Sequence, residues 1–191
     1  MRSTILICAV VLLAGGAAGL DQGDNAMGMF FGPDEYSDVG RWRDAYALGE
    51  PFPAYVVLVN CTVELVGGYE VGITIPDDQV LVIEATGPNG WTNFGDNTNH
   101  LVGFMTPVPE VDGSVLLCTL TLVCNTPSAV PINYGPADPP SIDLVPVIAD
   151  GADPNILVPC DLFGGANPVA GLNWEVAVNP RSLSGIKALF D

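Results

Sequence analysis

Ser114-Val-Leu-Leu-Cys-Thr-Leu-Thr-Leu-Val-Cys124 is the stretch on which the fold turns. It is the longest uninterrupted β-prone run in the chain, opened by the turn pair Asp112-Gly113. Alternation puts Leu116, Cys118, Leu120, Leu122 and Cys124 on one face, with Thr119 and Thr121 on the other. That is the pattern of a strand with one face in a core.

Upstream, His100 to Thr106 reads as a shorter strand bounded by Pro107 and Pro109. Val80 to Ala85 precedes it, turned by Gly87-Pro88-Asn89-Gly90. Tyr69 to Ile75 is stopped by Pro76-Asp77-Asp78, and Ala54 to Val63 has the β-branched density of a strand buried on both faces. Met27 to Phe31 opens the series. Residues 34–53 are irregular, with one helical turn expected around Arg41 to Ala47. Downstream, Ala129 to Tyr134, Ile142 to Ile148, Asn155 to Val158 and Trp174 to Val178 are short candidate strands. Ser182 to Phe190 suits a short helix with Ser182 or Ser184 as its N-cap. No strands alternate with long amphipathic helices, which argues against an α/β fold. The pattern predicts an all-β, antiparallel two-sheet sandwich.

At the N-terminus Arg2 precedes an apolar run from Ile5 to Leu13, and 14–19 are all Ala or Gly. This is the order of a secretory signal peptide, cleaved after Gly19 or Ala18. The apolar run is shorter than the ~20 residues a bilayer crossing needs. The expected organisation is a signal peptide over 1–19, a sandwich domain over 20–180 and a tail over 181–191. The destination is extracellular or cell-surface, with the periplasm left open.

Five basic residues stand against 22 acidic ones, for a formal charge of −17. Such a chain repels phosphate backbones and has no basic stripe, so nucleic acid and anionic membranes are excluded as partners. A protein partner or a polysaccharide remains. With Cys8 removed by cleavage, Cys61, Cys118, Cys124 and Cys160 suggest two disulfides. Zinc is the competing reading, but five residues separate Cys118 from Cys124, outside the usual metal-binding spacing.

The order Tyr55 to Asn60, Gly68 to Ile75, Val102-Gly-Phe104 and Asp112 to Leu117 resembles the cohesin-type jelly-roll, a sandwich shared with some carbohydrate-binding modules. The chain is also similar to secreted β-sandwich proteins of environmental bacteria. The shared features are Gly28-Met-Phe-Phe31, Gly135-Pro136 followed by Pro140-Ser141-Ile142, and the Ile186 to Phe190 tail. These families supply no catalytic residue. With strands alternating in direction, the resemblance implies disulfides Cys61–Cys118 and Cys124–Cys160. A continuous strand would hold Cys118 and Cys124 about 20 Å apart, beyond the ~7 Å between Cα atoms that a disulfide allows.

His100 is the sole histidine, and no G-x-S-x-G elbow is present. Paired carboxylates such as Asp34-Glu35 and Asp77-Asp78 have turn contexts. Asp150, Asp153 and Asn155 offer oxygen ligands for a structural Ca²⁺, with turn chemistry as the alternative; no other cofactor is implied. For sugar binding the candidates are Trp91 with Asn93 in a polar loop, and Trp42 with Tyr46. The competing reading of Trp91 is a ring folded over a sheet end to cap the core. The sequence therefore points to a secreted, non-enzymatic sandwich with a structural or protein-interaction role. The alternatives are a carbohydrate-binding module and a small secreted glycoside hydrolase.

Overall fold

The computed structural model describes residues 23–33, 36–43, 47–76 and 79–174. The expected signal peptide, the C-terminal tail and Tyr46 lie outside them. The described chain is all β. Its strands are β1 (Ala26–Phe30), β2 (Trp42–Arg43), β3 (Pro51–Val59), β4 (Leu65–Thr74), β5 (Val80–Thr86), β6 (Trp91–Asn93) and β7 (Asn99–Pro109). Then come β8 (Ser114–Cys124), β9 (Val130–Gly135), β10 (Val147–Asp150), β11 (Leu157–Pro159), β12 (Asp161–Leu162) and β13 (Ala170–Leu172).

Two sheets face each other. One runs β12-β1-β3-β8-β5; the other runs β11-β10-β4-β9-β13-β2, with β7 on the far edge of β4 and β6 beyond it. Most pairs are antiparallel, but β1 with β12 and β13 with β2 are parallel. The sheets are thus mixed rather than wholly antiparallel. The parallel pairs involve strands of two or three residues at sheet margins, where the chain crosses from one sheet to the other.

The prolines expected to bound strands do not all do so. β3 begins at Pro51 and includes Pro53, because β1 pairs only from Tyr55 onward. Each proline therefore sits where β3 has β8 on one side and none of the described strands on the other, so its missing N–H breaks no ladder bond among them. β7 passes through Pro107 where its pairing with β4 lapses, between Gly103 and Val108. The run expected over Ile142 to Ile148 pairs only from Val147; ahead of it, the Glu70 carboxylate accepts bonds from Ser141 N–H and Oγ–H and ties the loop down. Trp42 and Arg43 form a strand rather than part of a helical turn.

The inner faces of both sheets bury Met27, Leu58, Tyr69, Leu120, Leu122, Ile132 and Ile148 in one cluster. β1 is buried throughout because a second cluster covers its outer face. There Phe163 packs edge-on against Phe30 at 4.8 Å. Gly28 makes this possible, since a Cβ there would lie 2.7 Å from that of Phe163.

One parity expectation is overturned. Cys118 sits opposite Val56 but Leu116 sits opposite Val57, so Leu117 is an extra residue in β8. Such a bulge turns two successive side chains to one face and reverses the alternation beyond it. Leu117 and Cys118 are both fully buried, and Leu116 faces outward, 37% exposed.

Candidate functional site

The bulge helps to shape a surface groove. β5 ends at Thr86, opposite Thr119. From Ser114 to Cys118, β8 therefore has β3 on one side and, among the described strands, no ladder partner on the other beyond its own turn. Here the chain leaves β5 through Gly87-Pro88-Asn89. A groove of about 540 Å³ results, with Tyr36, Pro88, Pro109, Val111 and Leu116 as its apolar walls. Asn89, Asp112 and Ser114 provide its polar lining.

The groove floor is held by local chemistry. Val111 and Ser114 close a two-residue hairpin, and Asp112 and Gly113 both take positive φ, as the primed turns require. The Glu110 carboxylate accepts the Gly113 N–H. Tyr36 is anchored on Phe30 at 5.4 Å. Val111, 64% exposed, is an apolar side chain with no cover. Asp112-Gly113 was legible as a turn. The outward Leu116 was not, because the bulge is set by the register of β3.

The sugar-binding candidates do not form one surface. Trp91 and Asn93 lie on β6, at the opposite edge of the sheet from Trp42 on β2. Trp91 packs against the core, and its Nε1–H donates to Tyr69 Oη at 3.2 Å. Asn93 holds its own loop: Oδ1 accepts from the Leu101 and Gly95 N–H groups, and Nδ2 donates to Asp96 O. Trp42 lies against Trp174 with 5.4 Å between ring centroids and 30° between planes. Gly171 leaves room for both rings.

Behind Trp91 a polar chain runs into the core. Tyr69 Oη–H donates to His100 Nδ1 at 2.9 Å, and His100 Nε2–H donates to the Asn97 carbonyl at 3.2 Å. These partners assign the tautomer. Burial lowers the His100 pKa, so the ring is neutral. Cys118 Sγ lies 3.8 Å from His100 Nδ1, a cysteine–histidine contact that the sequence did not reveal. It is no activated dyad. Both residues are fully buried, and burial pushes the thiol up to about 12.

Asp150, Asp153 and Asn155 make turns. Asp150 Oδ1 accepts the Ala152 N–H, and Asp153 Oδ1 accepts both the N–H and the Nδ2–H of Asn155. Among the described residues, no three His, Cys, Asp or Glu side chains are grouped to hold a metal ion.

The cysteine pairing implied by the resemblance is corrected by the strand register. Cys61 N–H bonds to Gly113 O, just before β8, whereas Cys118 lies opposite Val56. Val59 is opposite Ser114, so Cys118 is roughly 13 Å further along the sheet. Cys124 sits at the Pro51 end of β3 and Cys160 at the Val59 end. All four cysteines are free thiols in the structure.

Among the described residues, no helix is long and apolar enough to cross a membrane. No protein-family model and no curated protein matches the chain. Solved structures are similar to the chain in fold, two of them as follows. One is a cohesin module from a Clostridium perfringens family 33 glycoside hydrolase, 12% identical, covering 72% of this chain and 90% of that one with a TM-score of 0.47. The other is a chain of the CaDoc0917–CaCohA2 complex, 13% identical, covering 69% and 93% respectively, also with a TM-score of 0.47.

Proposed function

We propose that the protein is a secreted, non-enzymatic binding module that takes an extended polypeptide segment into the groove beside β8. The observation that carries this is the Ser114–Cys118 half-strand, with no neighbour among the described strands on its groove side and walled by outward apolar side chains. An extended segment laid there would gain main-chain bonds from the strand edge and bury its side chains against Leu116, Val111 and Tyr36. The charge of −17 and Asp112 at the rim favour a segment that is apolar with flanking Lys or Arg. Secretion rests on the signal-peptide pattern of residues 1–19. The groove asks for no catalysis, and the sealed Cys118 thiol offers none.

The test is a displayed library of random peptides panned against the protein. The peptides enriched should be apolar and basic, perturb the 114–118 backbone amides by NMR, and bind Leu116→Asp at least about tenfold more weakly. Peptides that bind wild type and Leu116→Asp alike would refute the groove.

Trp42 supports a second reading. Its partial exposure and the adjacent Trp174 ring suit stacking against a neutral sugar. Retardation of the protein in polysaccharide gels, lost in Trp42→Ala, would favour it; equal migration of both proteins would end it.

A further inference from the structure

We propose that Cys61 and Cys160 form a disulfide in the mature chain, and that Cys118 and Cys124 stay as thiols. The inference adds to the secreted reading and rests on it for the oxidising compartment.

Both cysteines occupy crossings between the sheets. Cys160 is the single residue between β11 and β12, which belong to different sheets. Cys61 lies two residues past the end of β3, on the way to β4 of the other sheet. β1 ties the crossings together, since Ala26 pairs with Val59 on one side and Asp161 on the other. Asn25, one residue earlier, donates its N–H to Asn60 O at 2.9 Å. Its side chain bonds Thr62 N–H and Oγ. The two cysteines thus lie at the same end of the five-stranded sheet, Cys61 where the chain leaves it and Cys160 where the chain enters it, and both pack with the same apolar cluster.

Cys160 lies within electrostatic reach of Cys61. Burial pushes Cys160 up to about 12, and the charge of Cys61 adds to the rise. Each thiol otherwise meets a nearby carbonyl: Val63 O at 3.2 Å from Cys61 Sγ, and Val158 O at 3.8 Å from Cys160 Sγ. Cys118 is held in the core against His100, and Cys124 lies at the opposite end of β3. Val59 and Asp161 flank β1 at two strand spacings, roughly 10 Å. A disulfide brings Cα atoms within about 7 Å. Closing the bond therefore requires the crossing at Cys61, held by Gly113 and Asn25, to shift toward β12.

The half-buried Cys61 meets the oxidant first. Its thiolate attacks a protein or small-molecule disulfide, forms a mixed disulfide and releases one thiol. The Cys160 thiolate then displaces the second. Two protons and two electrons leave the pair, and the oxidant ends as two thiols. The product staples the sheet crossings and closes a loop of roughly 100 residues, the kind that most constrains an unfolded chain.

Cleavage before aspartate separates the candidates cleanly. Cys61 falls in 44–76, Cys118 and Cys124 in 112–137, and Cys160 in 153–160. The exported protein is alkylated under denaturing, non-reducing conditions and mapped by mass spectrometry. The expected result is 44–76 linked to 153–160, with 112–137 alkylated twice. Reduction should lower Tm by on the order of 10 °C in wild type and in Cys118→Ala/Cys124→Ala, but not in Cys61→Ala/Cys160→Ala. The mapping is repeated on protein oxidised in vitro with glutathione disulfide, which supports the pairing whatever the compartment if the same link forms. A link to 112–137, or alkylation of Cys61 and Cys160 in both preparations, overturns the proposal. The mapping stands even where a double variant fails to fold.

Discussion

Arg41 is a cation almost removed from water. Its guanidinium holds Asp38 at 2.7 Å, bonds the Phe163 and Pro168 carbonyls at 3.3 Å, and lies 4.6 Å from the Trp42 ring. It ties the segment before β2 to the loop after β12. Gly164 leaves the space, since a Cβ there would meet Nη1 at 2.3 Å. Removing the guanidinium strands two carbonyls, while the exposed Asp38 carboxylate is rehydrated, so Arg41→Ala should cost about 2 kcal/mol in urea unfolding. Arg41→Lys should recover little of it, because one ammonium cannot reproduce the planar fork. His100 gives a second measurement at this scale. Folding keeps the ring neutral, with its pKa lowered from 6.5 by burial, while the unfolded chain takes up a proton below about that pH. Stability from this group is therefore complete above pH 6.5 and declines as pH falls. The Asp96 charge partly offsets that lowering of His100; bonds from Thr98 and then Asn99 hold its own carboxyl low, so its contribution fades only below its ordinary value of 3.8. Thermal melts of wild type should lose stability between pH 7 and pH 5, and His100→Gln should show a flatter slope there even if its Tm is lower throughout.

At the scale of the element, β8 shows how far local pattern reaches. Its two ends were legible from composition and from Asp112-Gly113, and the inward set from Cys118 to Cys124 followed from alternation. The alternation fails at Leu117 because a bulge belongs to a pair of strands, and nothing within 114–124 states the register of β3. The prolines of β3 mislead for a related reason: a proline is harmless where one neighbour is missing, and which edge is open is a property of the sheet. Trp91 came with two readings because an aromatic ring in a Gly/Asn loop is equally suited to solvent and to a sheet end. The Tyr69 hydroxyl, from a strand 22 residues upstream, selects the second. The parity can be measured directly. Leu117→Asp should unfold the domain or cost ~4 kcal/mol, since it drives a carboxylate into a sealed core. Leu116→Asp should stay within about 0.5 kcal/mol of wild type. Circular dichroism melts of the two variants decide it, and simple alternation demands the reverse order.

For the molecule as a whole, charge is the dominant long-range term. With 22 acidic side chains against five basic ones, the folded surface repels itself. Of the described cations, Arg41 is spent on a local pair and two carbonyls, and Arg43 donates to Phe31 O, so neither relieves the excess elsewhere. Screening should therefore stabilise the fold. Raising ionic strength from about 0.01 M to 0.15 M shortens the Debye length from ~30 Å to ~8 Å and should raise Tm by several degrees. The same reasoning separates a general response to cations from a built calcium site. Asp150 and Asp153 already accept bonds from the turns they form, which leaves the loop oxygens dispersed rather than converging. Ca²⁺ and Mg²⁺ at equal ionic strength should then raise Tm equally. Hard cations bound by a fixed oxygen cage differ in the coordination they accept, so a Ca²⁺ response clearly above that of Mg²⁺ would show that a cage assembles from these loops. Equal responses would mean that the chain meets cations as a diffuse field, the same field that favours a basic segment at the groove beside β8.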